Sequence, residues 1–298
     1  MPVKETAEKI GSMQIRGALR IAIAAAKALE QEIVEGASYD ELVKAGDALK
    51  DARPTAVLLP NAINYILHLA ESHATDDPIV ARPMLIGDVA NFIAELESSI
   101  DRIAEVGAEI VDDGDVVLTI CNSDTVARIL KRAWQDGKRF KVYACETRPR
   151  LQGHITVKDL SSASIDVTII VDSAAYYTML RKGVRKAMVG ADTVSANGDV
   201  VNKIGTSQVA LAAKAAGIEF IVCTETIKFS PYSIGGHEIE IEERDPKEVA
   251  EIPKVGVFNP AFDVTRADMI ARIVTEEGII RPADVERKIE EKYAWMLK

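Results

Sequence analysis

Apolar residues recur every three or four positions across residues 21–33, 39–50 and 62–71, a spacing that collects them on one face of a helix. Helices are therefore expected from Glu5 to about Val106, and residues 1–110 are read as a helical N-terminal domain. The pattern changes at Gly107 and at the turn Asp112-Asp113-Gly114-Asp115, where turn-forming residues interrupt the periodicity. Beyond that turn, short apolar or β-branched runs at 116–120, 141–145, 167–171, 186–189 and 220–223 alternate with segments compatible with helix. Continuous runs of this length suit strands buried on both faces of a parallel sheet. Residues 111–298 are thus predicted to form a Rossmann-like, mostly parallel α/β domain.

The residues that follow each run carry the chemistry. They are Cys121-Asn122-Ser123, Glu146-Thr147-Arg148, Asp172-Ser173, Gly190-Ala191-Asp192 and the segment from Thr224 to Lys228. In open parallel sheets ligands bind beyond the carboxyl ends of the strands, where helix amino termini offer unpaired N–H groups, so all five clusters are expected at one edge. Cys121 ends an apolar run ahead of a predicted helix, a setting that favours thiolate over thiol and lowers the free-cysteine pKa of about 8.5. It reads either as an acid/base group or as a small buried hydrophobe, the role assigned to Cys145 and Cys223. Asp192 reads as a site carboxylate or as a helix or turn cap, the cap being a reading that also fits Asp172 and Asp199, and the glycine before it lets backbone approach a ligand closely. Ser195 to Asp199 is expected to be a hairpin with Asn197-Gly198 at its tip, returning Asn202, Lys203 and Gly205 toward the pocket edge. Arg16, Arg53, Lys203 and Lys228 are cations suited to phosphate, although each alone also fits a solvated surface charge.

Composition narrows the classes. A formal net charge of −10 with 5% aromatic residues disfavours binding to nucleic acid, which needs basic surface and stacking platforms. No apolar run is long enough to span a bilayer, and the amino terminus lacks a signal-peptide pattern, so no membrane association and a cytoplasmic location are expected. The three cysteines and four histidines show neither disulfide nor metal-ligand spacing. Neither a Walker loop nor a complete dinucleotide fingerprint occurs.

At these residues the chain resembles the family that joins ribose-1,5-bisphosphate isomerase, methylthioribose-1-phosphate isomerase and the regulatory subunits of translation factor eIF2B. The resemblance covers nearly the whole chain. It is carried by IRGA at 15–18, RPTAV at 53–57, Cys121-Asn122, ETRP at 146–149, VDSAA at 171–175, GAD at 190–192 and NKIGT at 202–206. It implies Cys121 and Asp192 as the catalytic acid/base pair, whereas the eIF2B subunits generally lack the cysteine. ETIKFSP at 225–231, FNPAFDVT at 258–265 and TEEGIIRP at 275–282 resemble the branch that converts α-D-ribose 1,5-bisphosphate to D-ribulose 1,5-bisphosphate. A bisphosphate needs two anion sites, and Lys228 can supply the second cation.

By the same resemblance, Arg16, Gly17, Ala18, Arg53, Ser123, Asn202, Lys203 and Lys228 would contact a phosphorylated pentose, and no cofactor or metal is implied. A homo-oligomer, dimeric or hexameric, is implied, along with a place in AMP salvage; activation by AMP itself stays open. Two alternatives stand beside this reading: methylthioribose-1-phosphate isomerase, and a non-catalytic eIF2B-like regulatory subunit of translation initiation. Leu19 stands where glycine is common in the branch, and Asp124 where lysine often occurs. Because a carboxylate repels phosphate, Asp124 is expected to turn away, to cap the helix or to mark a different substrate. Asp192 is expected to have a raised pKa through burial near phosphates.

Overall fold

The computed structural model of the chain describes residues 1–15, 17–53, 58–74, 78–234, 239 and 241–294. It divides into two compact units, Met1–Ser99 and Ile100–Lys298. The first is helical: α1 (Val3–Gly11), α2 (Ala18–Glu35), α3 (Tyr39–Asp51), α4 (Leu58–Ser72) and most of α5 (Pro78–Glu109). Ala22, Ala25, Leu29 and Ile33 on α2 are buried, as are Leu59, Ile63 and Ile66 on α4, and these two helices pack together. Helix α3 begins with a capping box in which Ser38 and Glu41 satisfy each other's backbone N–H groups, the reciprocal arrangement that fixes a helix start. The expected boundary near residue 110 lies at the end of α5, but the units divide inside that helix. The reason is packing: Ile103 and Ala108 of its last turns are buried with Val117, Val126 and Ile129 of the second unit.

The second unit holds β1 (Val116–Thr119), α6 (Asp124–Gln135), β2 (Lys141–Cys145), α7 (Gly153–Ser162), β3 (Asp166–Ile170), α8 (Ala175–Arg181) and β4 (Lys186–Val189). There follow β5 (Thr193–Ser195), β6 (Val200–Lys203), α9 (Thr206–Ala216), β7 (Glu219–Cys223), β8 (Phe229–Ser230), β9 (Phe262–Thr265), β10 (Arg272–Thr275), β11 (Gly278–Ile280) and α10 (Val285–Tyr293). The five expected strands are β1, β2, β3, β4 and β7. They belong to a seven-stranded sheet of order β11-β10-β7-β4-β1-β2-β3, parallel throughout except for β11, which runs antiparallel to β10. One buried cluster, with Leu118, Val189 and Phe220, covers one face, and a second, with Val117, Met188 and Ile221, covers the other. Residues alternate between the two clusters along each strand, as the pleat requires.

This strand order reverses direction between β1 and β4: the chain moves from β1 outward through β2 to β3, then returns to the other side through β4, β7 and β10. Such a reversal leaves a crevice beyond the carboxyl ends of the two central strands, the place where open α/β sheets bind ligands. A second sheet, β8-β5-β6-β9, branches from this edge. Within it, β5 and β6 form the expected antiparallel hairpin, closed by the Gly198 N–H donating to the Ser195 carbonyl. At the opposite end of β4 the Lys186 ammonium lies 2.6 Å from Asp115 and 2.7 Å from Asp112, which keeps this partly buried cation paired. No described helix is long and apolar enough to cross a membrane.

Candidate active site

Cys121 follows β1 with φ +68°, in the left-handed region that costs a non-glycine residue about 1–3 kcal/mol. Both polar groups of its backbone are engaged. Its N–H donates to Thr147 Oγ1 at 2.8 Å, and its carbonyl accepts from Thr156 Oγ1, also at 2.8 Å. Thr147, itself at φ +66°, sits in the loop after β2, where Asp172 Oδ1 accepts its N–H at 2.8 Å and Asp172 Oδ2 accepts that of Arg148 at 2.7 Å. The ends of three neighbouring strands, β1, β2 and β3, are thereby tied together. Asp172 acts here as an anchor for backbone, in keeping with the cap read for it from sequence.

Asp192 follows β4 across the crevice, half-buried, with its N–H donated to the Val201 carbonyl of β6 at 3.0 Å. Lys203, the last residue of β6, is buried; its ammonium donates to the Ala261 carbonyl at 2.9 Å and lies 4.2 Å from the centre of the Phe262 ring. The neighbouring Asn202 is also buried and donates to Thr206 Oγ1 at 3.0 Å. Burial lowers the pKa of Lys203, while the charges of Cys121 and Asp192 act to raise it.

The Cys121 thiol departs from expectation. Burial, chiefly, pushes it up to about 11; the Lys203 cation pulls it down, and the Asp192 carboxylate adds to the rise. The helix end that was expected to favour a thiolate is outweighed by desolvation. Iodoacetamide should therefore alkylate Cys121 slowly near neutral pH, with an apparent pKa near 11, well above the free-cysteine value of about 8.5. Because the Asp192 charge raises the thiol pKa, Asp192→Asn should lower it and speed alkylation at neutral pH. Lys203→Met, which deletes the opposing cation, should slow it. Mass mapping of the alkylated peptide reads both rates, and unchanged rates in both variants would contradict this coupling.

Ser123, expected at a phosphate loop, caps α6: its Oγ accepts the Val126 N–H at 3.2 Å. Gly190 makes room for it. A Cβ at position 190 would lie 2.6 Å from Ser123 Oγ, so the missing side chain admits Ser123, where sequence had assigned the space to a ligand. Asp124 is the exposed first residue of α6, directly after the Ser123 cap, where a carboxylate is favoured by the helix dipole, and its charge helps to hold the Lys228 pKa up. Lys228, on a short turn after β7, is buried and ion-paired with Glu225 at 2.7 Å, while Glu225 also accepts from Thr125 Oγ1 at 3.1 Å. The pair holds the Lys228 pKa up against burial and the Glu225 pKa down against it. The second cation is thus present but already neutralised.

Gly17, with φ +88°, and Ala18, the first residue of α2, lie in the helical unit, as do Arg53, just past α3, and Leu19, which is buried on α2. Arg16 lies outside the described residues. Sequence reasoning overlooked Thr156 and Gln152. Thr156 was signalled only by its place in the first turn after a strand. The side-chain oxygen of Gln152, which directly precedes α7, is buried without a hydrogen-bond partner, an acceptor suited to a hydroxyl or N–H donor. Among the described residues no cluster of histidine, cysteine or carboxylate side chains has metal-holding geometry.

A profile of the initiation factor 2 subunit family matches residues 14–282. The ribose 1,5-bisphosphate isomerase of Methanocaldococcus jannaschii is 43% identical, over 99% of this chain and 97% of that one. The ribose 1,5-bisphosphate isomerase of Archaeoglobus fulgidus is 48% identical, over 94% and 90%. Among solved structures, that of the Pyrococcus horikoshii translation initiation factor eIF-2B superposes with a TM-score of 0.79 at 29% identity, covering 94% of this chain and 97% of that one.

Proposed function

The chain belongs to the initiation factor 2 subunit family, and on that premise we propose that it is an aldose-ketose isomerase converting α-D-ribose 1,5-bisphosphate to D-ribulose 1,5-bisphosphate. One observation carries the reading: Cys121 and Asp192 leave the two central strands on either side of the crevice and lie close enough for the Asp192 charge to act on the Cys121 thiol. The names of the archaeal relatives support the substrate.

Phosphorylation of the anomeric oxygen blocks spontaneous ring opening, so the enzyme must assist it. Protonated Asp192 gives its proton to the ring oxygen as the bond from C1 to that oxygen breaks, and the Cys121 thiolate removes the proton from C2, leaving an enol across C1 and C2. The Asp192 carboxylate then takes the proton of the C2 hydroxyl while the Cys121 thiol protonates C1, which yields the C2 ketone. Each group ends in the state in which it began, and no oxidant, reductant or cofactor is consumed. The working form carries one proton on the pair. With the thiol pushed up to about 11, Cys121 rests as a thiol, and the reactive arrangement requires its proton to leave the sulfur.

In this reading the Lys203 ammonium stabilises the thiolate and the enol oxygen, and Asn202, Ser123 and Lys228 contact substrate from the sheet unit. The resemblance also assigns substrate contacts to Arg16, Gly17, Ala18 and Arg53, and the orphan oxygen of Gln152 accepts from a sugar hydroxyl. The resemblance further supports a cytoplasmic homo-oligomer serving AMP salvage.

The experiment is incubation with carbon-13-labelled α-D-ribose 1,5-bisphosphate and, in parallel, methylthioribose 1-phosphate, following the C2 ketone by NMR with AMP present and absent. Ketose from the bisphosphate supports the proposal. Ketose from the methylthio sugar alone replaces it with the sister isomerase, and turnover of neither favours a regulatory subunit.

A further inference from the structure

We propose that Thr147 and Thr156 are positioning residues that hold the Cys121 peptide in its left-handed conformation and so aim the thiol across the crevice, a role that rests on the reading of Cys121 as the acid/base group. An L-residue at positive φ brings its Cβ against backbone, and cysteine has neither the bare Cα of glycine nor the short amide of asparagine that makes this region accessible. Something must therefore hold Cys121 there. Its two backbone polar groups are bonded to two threonine hydroxyls that come from different segments, one in the loop after β2 and one in α7.

The polarity of each bond is fixed by what else the hydroxyl does. Thr147 Oγ1 gives its one proton to the Cys145 carbonyl at 3.1 Å, so a lone pair faces the Cys121 N–H. Thr156 Oγ1 directs its proton to the Cys121 carbonyl and to Asn122 Oδ1 at 3.1 Å. Thr147 is in turn locked by the Asp172 carboxylate through two backbone N–H groups. Without the hydroxyls, Cys121 would relax to negative φ and turn its Cα–Cβ bond away from Asp192 and Lys203.

Valine keeps the shape and β-branching of threonine and removes only the hydroxyl; serine keeps the hydroxyl. Thr147→Val and Thr156→Val are each expected to lower kcat on ribose 1,5-bisphosphate about tenfold, the worth of one hydrogen bond, with KM changed by less than about threefold. Thr147→Ser and Thr156→Ser should stay within about threefold of the parent kcat. As the thiol leaves its buried position, its alkylation by iodoacetamide at neutral pH should rise about tenfold in the valine variants, one pKa unit toward the ordinary thiol, and not in the serine variants.

Alkylation decides the positioning role even if neither sugar turns over, so its failure is separable from that of the isomerase reading. Equal alkylation in valine and serine variants, or a kcat loss shared by both, overturns the clamp. If a valine variant does not fold, as judged by circular dichroism, the corresponding serine variant still tests it: tenfold faster alkylation with the hydroxyl retained would overturn it.

Discussion

Cys121→Ser is expected to lower kcat on ribose 1,5-bisphosphate by about 10³–10⁴-fold, within the range assigned to a positioned proton-transfer group, while the melting temperature stays close to that of the parent. Serine preserves size and backbone preference, and its hydroxyl is far too weak an acid to supply an oxyanion at C2. Asp192→Asn should cost a comparable factor, because an amide can neither protonate the ring oxygen nor take the proton from the C2 hydroxyl. The double variant is the sharper measurement. Groups that pass protons within one cycle act as a unit, so the pair together should lose little more than the worse single variant. Single-variant rates within tenfold of the parent would remove both residues from the chemistry. Asp192→Asn is also expected to make Cys121 a better nucleophile toward iodoacetamide while making the enzyme a worse isomerase, and a simple unfolding defect would not separate the two readouts in that way.

Gly153→Ala is expected to destabilise the protein by about 3 kcal/mol, at the upper end of overpacking costs, and to lower the melting temperature by about 6–12 °C. A Cβ at that position would stand 1.8 Å from the Cys145 carbonyl oxygen, 2.8 Å from its carbonyl carbon and 3.0 Å from that of Glu146. All three atoms are backbone, so no side chain can rotate away. The loop between β2 and α7 would have to open, and Thr147 would move with it. Gly87, inside α5, has nothing within 4 Å of its missing Cβ, so Gly87→Ala serves as the matched control and should be neutral or stabilising by up to about 1 kcal/mol. Thermal melts followed by circular dichroism compare the two. A Gly153→Ala melt as high as that of Gly87→Ala would show that the strand end yields.

The central sheet was legible because β1, β2, β3, β4 and β7 are short apolar runs between helical segments, a pattern that suits a covered parallel sheet. Strands β10 and β11 and the second sheet went unread; each has only two to four residues. Only the β5–β6 hairpin announced itself there, through Asn197-Gly198. At the site, the placement of Cys121 and Asp192 followed from strand order. The environment of Cys121 did not: sequence showed a helix amino terminus ahead and cations nearby, and depth of burial, a property of the folded chain, reverses their effect. Ser123 was read as a phosphate ligand, and the sequence did not announce that its oxygen also caps the helix it precedes. The threonine hydroxyls were invisible because threonine is ordinary at strand ends, and only a positive φ at Cys121 gives them meaning. A signal for the pairing of Lys228 was present, as Glu225 stands three residues before it, but local charge pairs are usually solvated and carry little weight.

On the proposed reading, that pairing changes how the pocket would tell its ligands apart. A phosphate arriving at Lys228 meets a cation whose nearest partner, Glu225, is almost wholly buried at 1% exposure. Gripping a phosphate there would be an exchange of partners, and the carboxylate left behind would keep the Thr125 hydroxyl and its own backbone N–H in a place where an uncompensated charge is costly. The discrimination between a second phosphate and an apolar tail would then reside in Glu225 as much as in Lys228: the carboxylate would set the threshold an anion must exceed, and the lysine would reward the one that does.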